Sequence, residues 1–305
     1  MSIKTIQHNK IIWHHVNELD DVSLKLLKDK YKFHPLDIKD VQGEAEESKV
    51  DVYKNYLFLV LHFPILHRAT GRVDFMELDV FLGKDFLITI QKGKFKPMRD
   101  IYYKIQNSIG YRKACFSKDA GYVLYRVLEV LYKDTKNITN YISRKLRIIE
   151  DEVYGDNINE DTAKNIAYLR RKILEMKRIF DPQIEVITDL SQLKTNFLPA
   201  DLNVYFDDID DYVDKVTNFL DNQKHILKDL LEVHDSLVTH KTNRSIKLLT
   251  IFSVAMLPLT LLSGIYGMNI DLPFSQRVGV VWGMFATLLV IVLGAMGIMR
   301  KKKLL

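Results

Sequence analysis

The sequence predicts an α+β membrane protein with an amino-terminal α/β domain, a long stalk helix and two carboxy-terminal transmembrane helices. Three observations predict this class. Short aliphatic and aromatic runs alternate with turn residues near the amino end, long helical patterns follow, and two long uncharged runs lie near the carboxyl end. The remainder of the 305 residues is polar. This distribution excludes a transporter with many spans.

Composition and charge exclude several function classes. The formal net charge is +5, and the run Arg300 to Lys303 supplies four of the positive charges. The basic character is therefore local and gives little support to nucleic-acid binding. Cys115 is the only cysteine, which excludes an intramolecular disulfide and a cysteine-based metal site and favours a reducing compartment. The amino terminus lacks the apolar run of a signal peptide, so we expect it to lie in the cytosol.

The amino-terminal region reads as alternating strands and helices. Asp20 or Asp21 is a suitable N-cap for a helix that follows it. The residues Gly83-Lys84-Asp85 separate two apolar runs as a hairpin turn would. The predicted elements are a strand at Ile11–Val16, a helix at Val22–Tyr31, and strands at Tyr56–His62, Leu78–Leu82 and Phe86–Gln91. An α/β domain is the economical interpretation.

Helical patterns dominate after Pro97. The segments 97–109, 118–153 and 159–195 have helical periodicity. They are separated by Gly110, by Gly155 with the two residues after it, and by Leu198-Pro199. We therefore expect a helical region between the α/β domain and the stalk.

The stalk is the most regular part of the chain. Residues spaced alternately by four and three give an uninterrupted heptad pattern that runs into the first uncharged segment without Gly or Pro before Pro258. The pattern predicts a single helix of about 70 residues and about 100 Å, since an α-helix rises 1.5 Å per residue. We expect its lower half to pack against other helices. The heptad residues are Ile209, Val213, Val216, Leu220, Gln223, Leu227, Leu230, His234, Leu237 and Lys241.

The two uncharged segments, 248–270 and 278–299, predict transmembrane helices. Each would be about 33–35 Å long as a helix, which is enough for a hydrocarbon core of about 30 Å. Basic residues precede the first segment and follow the second, whereas the connecting loop has few. By the positive-inside rule, both termini face the cytoplasm. A buried helical hairpin of a soluble protein is the alternative.

One helical face, which runs through the first span and the residues just before it, holds most of the polar residues there, together with Ile246 and Leu257. The spacing again alternates between three and four residues, which places the whole set along one side of a helix. Small and hydroxyl residues of this kind either pack helices together or line a pore. Because two spans cannot enclose a channel, a pore would require several copies, with the stalk heptads supplying the contacts between them. The set is Asn243, Ile246, Thr250, Ser253, Leu257, Thr260 and Gly264.

The motif Tyr266-Gly267-Met268-Asn269 ends the first span, and Met256-Leu257-Pro258-Leu259-Thr260 and Lys241-Thr242-Asn243 precede it. With these motifs, with Phe33-His34-Pro35-Leu36 and Asp40, and with Tyr205-Phe206-Asp207-Asp208, the chain closely resembles the CorA family of magnesium transport proteins. The resemblance extends over the whole chain. Residues 90–200 match by pattern rather than by motif.

The resemblance implies a funnel-shaped homopentamer with a cytosolic α/β/α domain, in which a stalk helix continues into a pore-lining first span. It implies partners that are membrane lipids and divalent cations, and no nucleic acid. The implied parts are an α/β domain at 1–117, a helical segment at 118–198, a stalk helix at 199–247, transmembrane helix 1 at 248–270, an outer loop at 271–277, transmembrane helix 2 at 278–299 and a basic cytosolic tail at 300–305.

The resemblance also implies site residues. The outer selectivity ring falls on Asn269, with Gly267 and Met268 shaping its turn, further polar rings on Thr260 and Asn243, and hydrophobic constrictions on Leu257, Leu249 and Ile246. The family often has methionine at constriction positions where this chain has Leu257 and Ile246. A neutral amide ring suits Mg²⁺, which sheds its waters reluctantly, because the ring accepts hydrogen bonds from those waters without trapping the ion.

Regulation is expected at acidic residues. Asp207 and Asp208 begin an acidic cluster at the base of the stalk, and Glu232 lies midway along it. The resemblance implies that Asp208 helps to hold regulatory Mg²⁺ between subunits, which would favour the closed pore. A solvated first turn stabilised by the helix dipole is the alternative.

The resemblance implies Mg²⁺ influx driven by the membrane potential in the inner membrane, with Co²⁺ and Ni²⁺ as further cargo. Zinc transport or efflux by the same architecture and a non-conducting membrane-anchored scaffold remain alternatives. We expect no enzyme activity and no cofactor, since neither a phosphate-binding G-x-x-x-x-G-K-[ST] loop nor a G-x-S-x-G motif occurs. The histidines, including His62 and His67, lack the spacing of a metalloprotease site and are interpreted as packed or surface residues.

Overall fold

A computed structural model describes residues 3–43, 47–67, 70–155, 160–268 and 277–301, with the backbone alone for residues 160, 299 and 300. The chain divides into two compact units, Met1–Leu231 and Glu232–Leu305. Of the predicted parts, Asn269, most of the outer loop and most of the basic tail lie outside the described residues.

The first unit contains a six-stranded mixed sheet with the strand order β1-β2-β6-β5-β4-β3. Only β2 and β6 are parallel neighbours; the other neighbouring pairs are antiparallel. The strands are β1 (Ile3–His8), β2 (Ile11–Val16), β3 (Lys49–Val52), β4 (Tyr56–His67), β5 (Arg72–Gly83) and β6 (Phe86–Lys92).

All four predicted strands are confirmed, and two are longer than predicted. β4 extends to His67, and β5 begins at Arg72 rather than near Leu78. The hairpin turn after Gly83 is also confirmed, because β5 and β6 pair on either side of it. β1 and β3 were not predicted, because their residues are mostly only partly buried and show little hydrophobic patterning.

Helices cover both faces of the sheet. On one face lie α1 (Asp21–Lys25), a π-helical turn (Leu26–Lys30) and α2 (Pro35–Gln42). Asp20 caps α1, as predicted, by accepting a hydrogen bond from the Ser23 N–H at 2.8 Å. The buried cluster on this face comprises Val16, Leu27, Phe33, Ile38, Val41, Phe58, Val60, Phe81, Ile88 and Ile90.

The remaining helices of this unit supply the other layer. They are α3 (Lys96–Asn107), α4 (Ile109–Cys115), α5 (Ala120–Asp134), α6 (Lys136–Tyr154) and α7 (Glu160–Gln192). The ring of Phe63 on β4 meets that of Tyr132 on α5 at 5.0 Å, and α5 also contacts β5 and β6. The result is the expected α/β/α arrangement.

The prediction of one helical segment over 118–153 is wrong, because the chain breaks between α5 and α6 at Thr135. The buried Thr135 hydroxyl donates to the Tyr132 carbonyl at 2.6 Å, and its backbone N–H donates to the same oxygen at 3.0 Å. A threonine side chain that bonds to the backbone nearby offers an alternative to helical hydrogen bonding. Neither Gly nor Pro marks this break.

The stalk and the first span form one helix, α8 (Asn203–Tyr266), of 64 residues, and α9 (Val278–Lys301) follows. The predicted single long helix, and with it the α+β class, is confirmed. Both helices are long and apolar enough to cross a membrane.

The heptad residues of the stalk are buried within the single chain from Ile209 to Leu230. Here α8 contacts α5 and α7. Tyr125 of α5 meets the ring of Tyr205 at 5.0 Å, and Lys177 of α7 pairs with Asp221 at 2.8 Å. The expectation that the lower half packs on other helices is therefore confirmed. The expectation that this seam joins copies of the chain is wrong over these residues, because the chain itself covers them.

Replacing Leu220 with alanine is expected to lower the free energy of unfolding by about 2–5 kcal/mol, because the side chain is fully buried in the seam and its loss leaves a cavity. Thermal unfolding of the detergent-solubilised full chain measures this loss. Lys215→Ala, which removes an exposed lysine 3.8 Å from Asp211, should change stability by less than about 0.5 kcal/mol. Equal effects of the two substitutions would contradict the packed seam.

Candidate ion pathway

The polar face of the first span lies on the regular part of α8. Asn243, Thr250, Ser253 and Thr260 are all within the helix and exposed in the single chain. Their successive spacings of seven, three and seven residues place them on one side of the helix. The predicted alignment of the set is therefore present in the structure.

The hydroxyl groups on this face have a defined orientation. Thr250, Ser253 and Thr260 each donate to the backbone carbonyl four residues earlier, at 2.9 Å. A hydroxyl that donates its only hydrogen to the backbone retains its lone pairs as acceptors. The face therefore presents hydrogen-bond acceptors, which suit the outward-pointing hydrogens of a hydrated cation.

Apolar side chains separate these polar positions. Ile246, Leu249 and Leu257 are 55%, 68% and 65% exposed in the single chain. Large apolar side chains exposed together mark a surface that lipid or another protein surface covers. α8 is long and apolar enough to cross a membrane. Its exposed polar and apolar side chains therefore form a surface that lipid or another protein chain covers.

A glycine follows the carboxyl end of the first span. α8 ends at Tyr266, and the N–H of Gly267 donates to the Ser263 carbonyl at 2.9 Å. A Cβ at Gly267 would lie 3.1 Å from that carbonyl oxygen. Met268 donates its N–H to the Ile265 carbonyl at 3.2 Å and is 54% exposed. Asn269, the residue expected to form the selectivity ring, follows immediately and lies outside the described residues.

α9 contacts the first span near this end. The Tyr266 hydroxyl donates to the sulfur of Met284 at 3.5 Å. Trp282 on α9 is 70% exposed. The two predicted spans are therefore neighbours within the second unit.

The acidic cluster lies in the first turns of α8. Asp207 and Asp208 are exposed, whereas Asp210 is partly buried and accepts a hydrogen bond from the Thr188 hydroxyl at 3.0 Å. Burial and the nearby carboxylates, including those of Asp207 and Asp211, raise the pKa of Asp210 above its usual range, despite that hydrogen bond. The cluster is a region of carboxylate repulsion that a bound cation would relieve. Glu232, the further predicted site, is exposed on the same helix.

Asp40, which the sequence motif contains, lies near the end of α2. Its Oδ2 accepts from the Lys49 ammonium at 2.6 Å. Along the described residues, no group of three His, Cys, Asp or Glu side chains is arranged to hold a metal ion. The predicted acidic site is therefore not complete among the described residues of one chain.

Comparison with known proteins identifies the family. Residues 8–301 match the family model described as CorA-like Mg²⁺ transporter protein. The cobalt/magnesium transport protein CorA of Thermotoga maritima is 26% identical over 242 residues, which cover 79% of this chain and 68% of the relative. YfjQ of Bacillus subtilis is 27% identical over 294 residues, which cover 94% of this chain and 87% of the relative.

A solved structure shares the fold. The complete CorA magnesium transporter from Methanocaldococcus jannaschii matches with a TM-score of 0.81 at 18% identity, over 95% of this chain and 92% of that one. The family consists of transporters, which confirms the expectation that the chain is not an enzyme. With nearly its whole length matched, the chain belongs to the CorA-like Mg²⁺ transporter protein family.

Proposed function

We propose that the chain forms a homopentamer in the inner (plasma) membrane, with both termini in the cytoplasm, and conducts Mg²⁺ inward. The single observation that carries this proposal is the acceptor face of α8. Its hydroxyls are oriented by the backbone, and its apolar neighbours are exposed in one chain. Two spans cannot enclose a pore, so the face requires copies of itself around an axis.

Selection takes place at a ring of Asn269 side chains, with Gly267 and Met268 shaping the turn before it. Mg²⁺ keeps its waters, and amide oxygens accept hydrogen bonds from them. Thr260 and Asn243 provide further acceptor rings along the pathway. Because such sites recognise the hydrated ion, we extend the cargo to Co²⁺ and Ni²⁺, in keeping with the Thermotoga maritima relative that is named a cobalt/magnesium transport protein.

Ile246, Leu249 and Leu257 form the gate. Rings of apolar side chains close a narrow pore by excluding water. When the helices separate, the pore wets and the ion passes. The membrane potential provides about 2.3 kcal/mol per charge per 100 mV, hence about 4.6 kcal/mol for a divalent cation, so passive influx needs no nucleotide.

Intracellular Mg²⁺ closes the gate by binding between subunits at Asp207 and Asp208, with Glu232 as a further internal site. The close spacing of Asp207, Asp208, Asp210 and Asp211 in the first turns of α8 supports this assignment, because a bound cation offsets the repulsion between their carboxylates. Binding that joins neighbouring subunits favours the closed, symmetric state over the open one.

Replacing Asp208 with alanine is expected to weaken closure by internal Mg²⁺, so that about tenfold more Mg²⁺ is needed for half-inhibition. A tenfold change corresponds to a loss of about 1.4 kcal/mol of binding free energy for the cation. Flux into proteoliposomes loaded with increasing Mg²⁺ measures the change. Asp229→Ala, at an exposed acid further along α8, is the control and should leave inhibition unchanged. Unchanged inhibition in Asp208→Ala would refute the regulatory role.

The proposed transport itself is tested by imposing an inside-negative potential on proteoliposomes and following Mg²⁺, Co²⁺, Ni²⁺ and Zn²⁺ with a fluorescent indicator. Mg²⁺ influx that grows with the potential supports the proposal. Movement of Zn²⁺ alone, or flux that the potential does not affect, contradicts it.

A further inference from the structure

Three charged or titratable side chains form a row across the sheet at the edge of the core. His62 on β4, Glu77 on β5 and Lys92 on β6 occupy directly paired positions. His62 is 6% exposed and Glu77 4% exposed. Groups that are this strongly desolvated need partners.

The two oxygens of Glu77 have different surroundings. Oε1 forms an ion pair with the Lys92 ammonium. The same ammonium donates hydrogen bonds to the backbone carbonyls of Asp40 and Gly43 at 3.2 and 3.3 Å. Oε2 has no hydrogen-bond partner among the described residues and lies 3.5 Å from Nε2 of His62. One oxygen of this buried carboxylate is therefore available to a further partner.

Two contacts other than the one with Glu77 hold His62 in place. Its Nδ1 lies 3.1 Å from the Ser48 hydroxyl, and its backbone carbonyl accepts from the Gln183 side chain at 3.0 Å. Histidines that bind metal ions are usually oriented through the second ring nitrogen in this way. Nε2 is thus left to face Oε2 of Glu77.

A cavity of about 450 Å³ adjoins this pair. Its lining contains His62, Glu77 and two further carboxylate residues, Glu47 and Glu175, and also the cationic residues Lys92 and Arg178. Glu175 lies on α7 and bonds Arg171 at 2.9 Å. The cavity has room for an ion with several waters, each of which needs about 30 Å³.

The distance between the two atoms fits a shared metal ion better than a hydrogen bond. Nitrogen and oxygen ligands at about 2.0–2.2 Å from a metal that are 3.5 Å apart subtend roughly 110° at it, close to a tetrahedral angle. A hydrogen bond between them would be about 2.7–3.2 Å long. The exposed pair of His67 and Asp74 on the same two strands shows that contrast, at 3.0 Å.

We propose that His62 and Glu77 bind a divalent transition-metal ion such as Co²⁺, Ni²⁺ or Zn²⁺ in the first unit. Imidazole nitrogen suits these ions, whereas Mg²⁺ prefers oxygen ligands throughout. Because the described residues bring no third such side chain into place, water and a movement of Glu175 or Glu47 complete the coordination. The site is separate from the pathway on the second unit and does not depend on the proposed transport.

Co²⁺ binding to the detergent-solubilised full chain tests the proposal, read by the visible absorption of the ion in excess Mg²⁺, which occupies oxygen-only sites. We expect His62→Gln and Glu77→Gln each to weaken the binding of one Co²⁺ per chain at least tenfold. His67→Gln, the matched control on the same strand, should bind as the wild type does. Co²⁺ binding by His62→Gln that equals the wild type in amount and affinity would overturn the proposal.

Two measurements keep the test decisive if those variants fold poorly. Ser48→Ala leaves both ligands in place and removes only the orienting hydroxyl, so it should weaken Co²⁺ binding by about 10- to 100-fold. The X-ray absorption spectrum of Co²⁺ on the wild-type protein must contain scattering from an imidazole. A spectrum with oxygen neighbours alone would refute the site without any variant. Neither readout involves flux, so failure here leaves the transport proposal untouched.

Discussion

Asn269→Ala is expected to lower Mg²⁺ uptake into proteoliposomes at least about 100-fold while leaving the amount of inserted protein unchanged. The substitution removes one amide acceptor from each chain of the proposed pentamer. At about 0.5–1.5 kcal/mol for each hydrogen bond, a ring of five amides loses about 2.5–7.5 kcal/mol, and a factor of 100 corresponds to about 2.7 kcal/mol. Indicator fluorescence under an imposed inside-negative potential measures the uptake.

Two further variants sharpen this result. Gln276→Ala removes an amide from the predicted outer loop beside the motif and should retain uptake within about twofold of the wild type. Asn269→Asp keeps the acceptors but adds charge, so the ion should bind more tightly and leave more slowly. Wild-type uptake by Asn269→Ala would show that ions do not pass a ring of these amides.

Leu257→Thr is expected to raise Mg²⁺ uptake about tenfold or more when internal Mg²⁺ is high and the pore is closed. Burial of one leucine side chain away from water is worth about 1.5–3 kcal/mol. A polar replacement in every chain lowers the cost of wetting the constriction accordingly. Uptake at saturating internal Mg²⁺ is the measurement.

Leu257→Met and Leu259→Thr are the matched controls. Methionine keeps the ring apolar, so the closed pore should stay closed. Leu259 lies two residues further along α8 and so about 200° around the helix, where the polar substitution faces away from the pathway. A leak of the same size in Leu259→Thr would mean that the effect comes from a disturbed membrane helix rather than from the gate.

Periodic features were predictable from the sequence. The heptad spacing from Ile209 to Leu230 identifies the buried side of α8, because a helix with a 3.5-residue pattern keeps those positions on one face. The same spacing cannot say which surface covers that face. In the structure α5 and α7 of the same chain do so, where we had expected other copies. Hydrophobic patterning predicts burial and is silent about the partner.

Features that leave no mark in the hydrophobic periodicity of the sequence were not predictable. The break at Thr135 arises from a side-chain hydrogen bond to Tyr132 and carries no Gly or Pro. His62 and Glu77 face each other only because β4 and β5 pair in one register. We interpreted His62 as a packed or surface residue, and its burial is confirmed. No spacing rule links it to a glutamate on the next strand.

The candidate pathway was predictable as a face but not as an assembly. The positions from Asn243 to Thr260 align on α8, and the hydroxyl bonds to the backbone add an orientation that no sequence pattern contains. The role expected for Asn269 in a selectivity ring rests on its sequence motif, because the residue lies outside the described residues. The roles of these residues stay predictions for the experiments above.

Disulfide cross-linking at position 257 tests the meeting of chains around an axis most directly. Cys115 is buried, so a cysteine introduced by Leu257→Cys would be the readily oxidised thiol. Oxidation in the bilayer should join chains in pairs whatever the ratio of protein to lipid, and should block uptake. Leu259→Cys, on the far side of the helix, should remain monomeric on the gel. Absent cross-links at 257, or equal cross-links at both positions, would contradict a pore lined by this face of α8.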